Sequence, residues 1–173
     1  MKTLYAPWRH DYVTKKEPRP NNLKNNCVFC QSFAEDNDAK NLILKRLPNS
    51  VIMMNYYPYN AGHIMILPLE HKPSLEEIPA HVRCEMMEAT TASAILLQNA
   101  LHCQGMNIGI NLGIAGGGGI PSHLHIHLLP RWQGDTNFLA TLGETTLICS
   151  DFQVLYDLLK DQFAALTLPV FHE

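Results

Sequence analysis

Ala89 to Pro130 contains no Asp, Glu, Lys or Arg. A stretch of that length without charge must cross a membrane, bury itself in protein or line a pocket. Gln98, Asn99, His102, Asn107, Asn111 and the run Gly116-Gly117-Gly118-Gly119 fall inside it, which argues against a bilayer span and leaves burial or a pocket lining. The 173 residues accommodate one domain with a full-sized core. Charged residues make up 17% of the chain, below the roughly 25% usual in soluble domains. Such a chain buries more surface than a monomer needs, so a homodimer is expected.

The net charge is −3, from 13 basic and 16 acidic residues, which argues against nucleic acid or an anionic membrane as partner. The distribution is uneven: the basic residues concentrate before Arg46, and the leading segment 1–26 reads as a basic arm. It either helps hold a phosphate-rich small molecule or is simply a solvated segment. Met1 to Pro20 has no apolar core of a signal peptide. Five cysteines at uneven spacing do not form a disulfide framework, so a cytoplasmic location is expected.

Asn41 to Met54 holds two apolar patches split by Pro48-Asn49-Ser50, as two strands joined by a turn would, and Gly62 to Leu67 reads as a third strand ended by Pro68. Ser74-Leu75-Glu76-Glu77 matches a capping box that starts a short helical turn. A long helix is expected from about Pro79 to His102, stopping at Gly105, with Val82, Met86, Ala89, Ser93, Leu96, Leu97 and Ala100 as its buried stripe. Met106–Ile110 and Leu124–Leu129 read as strands flanking the glycine loop. A last helical segment, about 150–167, is marked by Phe152, Leu155, Leu158, Leu159 and Phe163, with Ser150 or Asp151 as cap. Paired strands with helices following rather than alternating predict an α+β fold on an antiparallel sheet, one domain over 1–173.

The chemistry concentrates in His123-Leu124-His125-Ile126-His127-Leu128-Leu129. In a strand the three histidines share one face and the apolar residues the other, so the histidine face lines a site. Three adjacent imidazoles repel when protonated, and a ligand, a metal or chemistry is needed to justify them. One alternative is a catalytic metal on all three, but successive same-face positions lie about 7 Å apart, which strains ligation of one ion. Another is a nucleotide-binding module without catalysis. The preceding glycines let backbone N–H groups approach a phosphate, although a glycine run alone also serves as a hairpin connection. Cys27-Val28-Phe29-Cys30 is a C-x₂-C pair, open between metal, redox and ordinary thiols. His63, among apolar neighbours, reads as a packing or hydrogen-bonding residue. Cys84, Cys103 and Cys149 read as buried thiols, and Trp132 serves either a base or the core.

The motif His-φ-His-φ-His-φ-φ, with φ apolar, is complete over His123–Leu129, and here the chain resembles the histidine triad (HIT) nucleotide hydrolases and transferases. Gly62–His71, Pro130–Phe138 and Leu4-Tyr5-Ala6-Pro7-Trp8-Arg9 look like the Fhit-related branch that includes diadenosine tetraphosphate phosphorylases and hydrolases. The resemblance implies cleavage of a dinucleoside polyphosphate, or alternatively of a nucleoside phosphoramidate. It makes His123, His125 and His127 the catalytic set, with His125 forming a covalent nucleotidyl-histidine and His127 contacting phosphoryl oxygens or the leaving group. Neutral imidazole is a good nucleophile near pH 7, and covalent catalysis splits one difficult displacement into two. The resemblance further implies that Gly117, Gly118 and Gly119 cradle the α-phosphate, that Asn111 binds phosphate or sugar, and that Asn55 contacts the ribose. The family commonly has a polar side chain where this chain has Gly119. By the same resemblance Cys27, Cys30, His71 and His123 hold a structural zinc, with no organic cofactor.

Overall fold

The two apolar patches around Pro48-Asn49-Ser50 form β1 (Ile43–Arg46) and β2 (Ser50–Met54), paired antiparallel. The computed structural model describes residues 27–136 and 151–169; the basic arm, the Leu4–Arg9 motif, Cys149, Ser150 and the end of the Pro130–Phe138 motif lie outside them. β3 (Ile64–Pro68), β4 (Gly105–Ile110) and β5 (Ile126–Arg131) complete an antiparallel sheet in the order β1-β2-β3-β5-β4. Three helices, α1 (Val28–Ala34), α2 (Ala80–Leu101) and α3 (Phe152–Ala164), and a 3₁₀ turn at Leu75–Glu77 accompany it. The fold is therefore α+β, as the sequence predicts. Among the described residues no helix is long and apolar enough to cross a membrane.

Every residue of β2 and β3 is buried, because both faces of the sheet are covered. Alternation sends Leu44, Ile52, Met54, Ile64, Ile66, Ile126 and Leu128 toward α2 and α3, where they meet Met86, Ala89, Leu97, Leu159 and Phe163. The opposite residues Ile43, Val51, Met53, Met65 and Leu67 pack with Cys27 and Phe29 at α1. That second, smaller layer is where the site forms.

Five sequence expectations shift. The strand after the glycine loop begins at Ile126 and runs to Arg131 rather than over Leu124–Leu129: Leu124 N–H donates to the Lys72 carbonyl (2.7 Å), so a loop and not a neighbouring strand holds this stretch. Helix α2 spans the expected stretch, but its stop is His102, at a left-handed φ of 51°, and not Gly105, which already opens β4. In α3 Tyr156 is buried, with its hydroxyl donating to the Ile43 carbonyl (3.2 Å), while Leu158 faces solvent. Ser74 donates to the Glu77 carboxylate (3.0 Å) without a cap bond to the backbone, so the turn it starts stays short. Asp151 caps α3, accepting from the amides of Gln153 and Val154. Cys103 is buried as expected, but Cys84 is exposed on α2.

Within the buried stripe of α2 sits a charge that apolar periodicity passes over. Glu85 is 3% exposed, and its carboxylate accepts from Asn49 N–H (3.0 Å), Asn49 Nδ2 (2.9 Å) and Ser50 Oγ (2.6 Å), pinning the β1–β2 turn to the helix. Glu85→Ala leaves three donors unsatisfied and is expected to destabilise the fold by about 2–3 kcal/mol in urea denaturation. A loss below about 0.5 kcal/mol, the scale of a neutral surface change, would contradict this role.

Candidate active site and metal cluster

His123, the first triad histidine, turns away from its two companions toward sulfur. Its Nδ1 lies 3.4 Å from Cys27 Sγ and 3.6 Å from Cys30 Sγ, and His71 Nδ1 lies 3.4 Å from Cys30 Sγ. The donor atoms of Cys27, Cys30, His71 and His123 all lie within 4.8 Å of one another. A tetrahedral zinc with ligands at about 2.3 Å (S) and 2.0–2.1 Å (N) sets S···N edges of about 3.6 Å, which these separations match. The orientation agrees as well. His123 Nε2–H donates to the Pro68 carbonyl (2.9 Å), so the lone pair is on Nδ1 and faces the thiols, the usual outer support of a metal-binding imidazole. The four residues fit a metal ion. Three segments bring the four together: Cys27 caps α1 and Cys30 lies in its first turn, the loop after β3 supplies His71, and the segment entering β5 supplies His123.

Hydrogen bonds also fix the tautomers of the remaining histidines. His125 Nδ1 lies 2.8 Å from the His123 carbonyl, which can only accept, so Nδ1 carries the proton and Nε2 keeps the lone pair. Tyr59 N–H donates to His63 Nδ1 (3.1 Å), so neutral His63 carries its proton on Nε2 and donates to His127 Nδ1 (2.9 Å). His127 must then be protonated on Nε2, an atom that is buried with no hydrogen-bond partner in the described structure. The rings of His125 and His127 stand 4.6 Å apart. The arrangement thus places one lone-pair nitrogen beside one unsatisfied N–H donor, the pair that an in-line displacement at phosphorus needs.

His63 is the hydrogen-bonding residue its sequence context suggested, and its role as the relay to His127 appears only in three dimensions. Asn55 is bound to the same ring, with Nδ2 3.3 Å from His63 Nδ1, while its Oδ1 accepts from Tyr57 N–H (2.9 Å).

A cavity of about 390 Å³ opens beside His125 and His127 and is also lined by Asn55, Asn111 and Gly119. Its floor is a cross-strand row, since Met53 pairs with Met65 and Met65 with His127. Val28, Phe29 and Ser32 of α1 form one wall, with the Phe29 ring 5.5 Å from His125 and 5.6 Å from His123. In the glycine loop, Gly117 adopts φ +87° and its N–H donates to the Ile114 carbonyl (3.1 Å), so that amide is engaged within the loop. The amides of Gly118 and Gly119 have no partner among the described residues. The sequence signalled neither Phe29, hidden between two cysteines, nor the pairing of Met53 with Met65; only the C-x₂-C pair pointed to this segment. Trp132 donates from Nε1 to the Leu101 carbonyl (3.2 Å) and is not among the residues lining the cavity.

Burial dominates the titration of the cluster. Desolvation, followed by the neighbouring imidazoles, pushes His63 down to about 3 and His127 down to about 4. Burial also lowers His125, against a raising contribution from its bond to the His123 carbonyl. All are neutral near pH 7. Unfolded histidines take up protons from about pH 6.5, whereas His63 and His127 resist until about 3 and 4. Between those limits the unfolded chain binds more protons, so stability falls as pH falls, by on the order of a few kcal/mol. Urea denaturation of chelator-treated protein, which removes the metal contribution, should show this decline from pH 6.5 to 4, and His63→Asn should flatten it. A pH-independent midpoint in the wild type would contradict the assignment.

Comparison with known proteins places the fold in a family. Residues 36–134 match the family profile of the HIT domain. AP-4-A phosphorylase of Mycobacterium tuberculosis is 30% identical over 150 residues, 86% of this chain and 77% of the relative. The asymmetrical bis(5'-nucleosyl)-tetraphosphatase of Schizosaccharomyces pombe is 24% identical over 111 residues, 64% of this chain and 57% of that protein. Among solved structures, a zinc-bound histidine triad family protein from Mycobacterium smegmatis superposes with a TM-score of 0.64 at 24% identity, covering 82% of this chain and 96% of its own. The chain belongs to the HIT domain family.

Proposed function

We propose that this protein is a nucleotidyl hydrolase or phosphorylase that cleaves dinucleoside polyphosphates of the diadenosine tetraphosphate type through His125. The carrying observation is the hydrogen-bonded tautomer set, which leaves His125 Nε2 as nucleophile and His127 Nε2–H as donor. In the first step Nε2 bonds to the α-phosphorus and the bridging P–O bond breaks, its electrons leaving on the nucleoside polyphosphate. The His127 N–H meets the negative charge that develops on the phosphoryl or leaving oxygen. In the second step water or inorganic phosphate attacks the same phosphorus, and the N–P electrons return to Nε2. His123 completes the catalytic set indirectly, by holding His125 in its tautomer through the backbone carbonyl. Asn55 and Asn111 contact ribose and phosphate, and Gly118 and Gly119 offer unengaged amides to the α-phosphate. Gly117 joins that cradle through its φ of +87°, which shapes the turn, while its amide serves Ile114.

Cys27, Cys30, His71 and His123 would hold a structural zinc. When bound, the ion cross-links α1 to the sheet and supplies no reacting group. Exposed Met87 and Ile95 on α2 and Ile108 on edge strand β4 support a homodimer, and described cysteines without disulfides support a reducing, cytoplasmic setting.

The test is incubation with diadenosine tetraphosphate, with and without inorganic phosphate, and separation of products by anion exchange. ADP and ATP formed only with phosphate identify a phosphorylase, a reading supported by the phosphorylase relative. AMP and ATP in both tubes identify a hydrolase. No product in either tube contradicts the dinucleotide assignment.

A further inference from the structure

The cavity has a second polar end that the chemistry at His125 does not use. His127, Met65 and Met53 are successive register partners that all line the cavity, and the lining continues to Leu42, which accepts from Met54 N–H just before β1. At 4.7–4.9 Å per strand this is about 14 Å, on the scale of a nucleoside 5′-phosphate. A phosphate at His125 and His127, as in the proposed function on which this inference rests, directs the base toward β1. The lining near β1 combines apolar Phe29, Leu42 and Met53 with polar Ser32, Lys40 and Asn41.

The amide of Asn41 has a fixed orientation. Nδ2 donates to Glu35 Oε2 (2.9 Å) and to the Asn37 carbonyl (3.1 Å), both of which only accept. Glu35 Oε2 also takes Lys40 Nζ (2.9 Å), which commits that cation to the carboxylate. Asn41 Oδ1 therefore remains as an acceptor without a partner among the described residues, and the Ser32 hydroxyl beside the same cavity has none either. An oriented acceptor and a rotatable donor lining one cavity complement a base edge that carries an amino group beside a ring nitrogen. Adenine has that edge, while guanine and hypoxanthine turn an oxygen acceptor outward at the same position.

We propose that Ser32 and Asn41 read the nucleobase and select a 6-aminopurine: Asn41 Oδ1 accepts from the 6-amino group and the Ser32 hydroxyl donates to the neighbouring ring nitrogen. A 6-oxo base sets its oxygen against Asn41 Oδ1 and is disfavoured.

Isothermal titration of the intact protein with AMP, with purine riboside 5′-monophosphate, which lacks the 6-substituent, and with IMP tests this without altering the protein. AMP should bind at least about fivefold more tightly than IMP, with the unsubstituted purine between them. Asn41→Leu should bring AMP to the affinity of IMP, and Ser32→Ala should weaken AMP about threefold. Equal affinity of the wild type for all three nucleotides would overturn base reading and leave the nucleotide function standing. Failure of all three to bind would overturn both.

Discussion

His125→Asn is expected to lower kcat on a dinucleoside polyphosphate by about 10⁴-fold or more, the scale seen when a covalent nucleophile is removed. Such a factor corresponds to about 5.5 kcal/mol of barrier. KM should change little, because the cavity floor of Met53 and Met65 and the wall of Phe29 are untouched. His127→Ala removes a donor rather than the nucleophile, and its expected loss is smaller, about 10²–10³-fold. The order of the two effects follows from the tautomers: His125 Nδ1–H is spent on the His123 carbonyl and its free nitrogen attacks, while the free atom of His127 bears a proton. Steady-state kinetics of both variants check this. A His125→Asn protein with more than a tenth of wild-type kcat, or a His127 variant that is the worse of the two, would contradict the assignment.

The second large effect concerns the metal cluster. Purified protein should carry about one zinc per chain, and chelation or Cys30→Ser should remove it and lower Tm by about 10 °C, from about 3–5 kcal/mol at 2–4 °C per kcal/mol for a chain of this size. The consequence reaches the cavity, because Cys27 caps α1 and Cys30 lies within it, alongside the wall residues Val28, Phe29 and Ser32. Without the cross-link that wall loosens, and KM should rise more than kcat falls. Metal content by mass spectrometry, thermal unfolding and kinetics together check the account. Unchanged Tm in a Cys27→Ser/Cys30→Ser double variant would contradict it, as would metal-free wild-type protein whose Tm equals that of the zinc-loaded form.

The legible parts of the sequence were those with local periodicity or local spacing. The strands about Pro48–Ser50, the third strand, the long helix and the alternation of histidines with Leu124, Ile126 and Leu128 each show within a dozen residues. What escaped depends on contacts across the chain. Glu85 contradicts an apolar stripe until the amide and side chain of Asn49 are seen to surround it. Helix α1 has seven residues, about two turns and short of the roughly 11 over which apolar periodicity becomes a signal, so only the C-x₂-C pair is visible. His71 and His123 lie 41 and 93 residues from Cys30, so spacing alone left the thiols open between metal and redox use, and the resemblance to the triad family named the set. The same holds for His63, whose link to His127 spans 64 residues. Tyr156 took the buried place expected of Leu158 because its hydroxyl finds the Ile43 carbonyl, a partner that hydropathy does not record.

The most direct measurement is the intact mass of the protein after rapid mixing with diadenosine tetraphosphate and quenching in base, followed by peptide mapping. The account predicts one adenylyl group on the peptide containing His125, chemically competent to pass to water or phosphate, and absent from His125→Asn. Full turnover with no adduct at any mixing time, or an adduct that persists in the His125→Asn protein, would contradict a nucleotidyl-histidine at this residue.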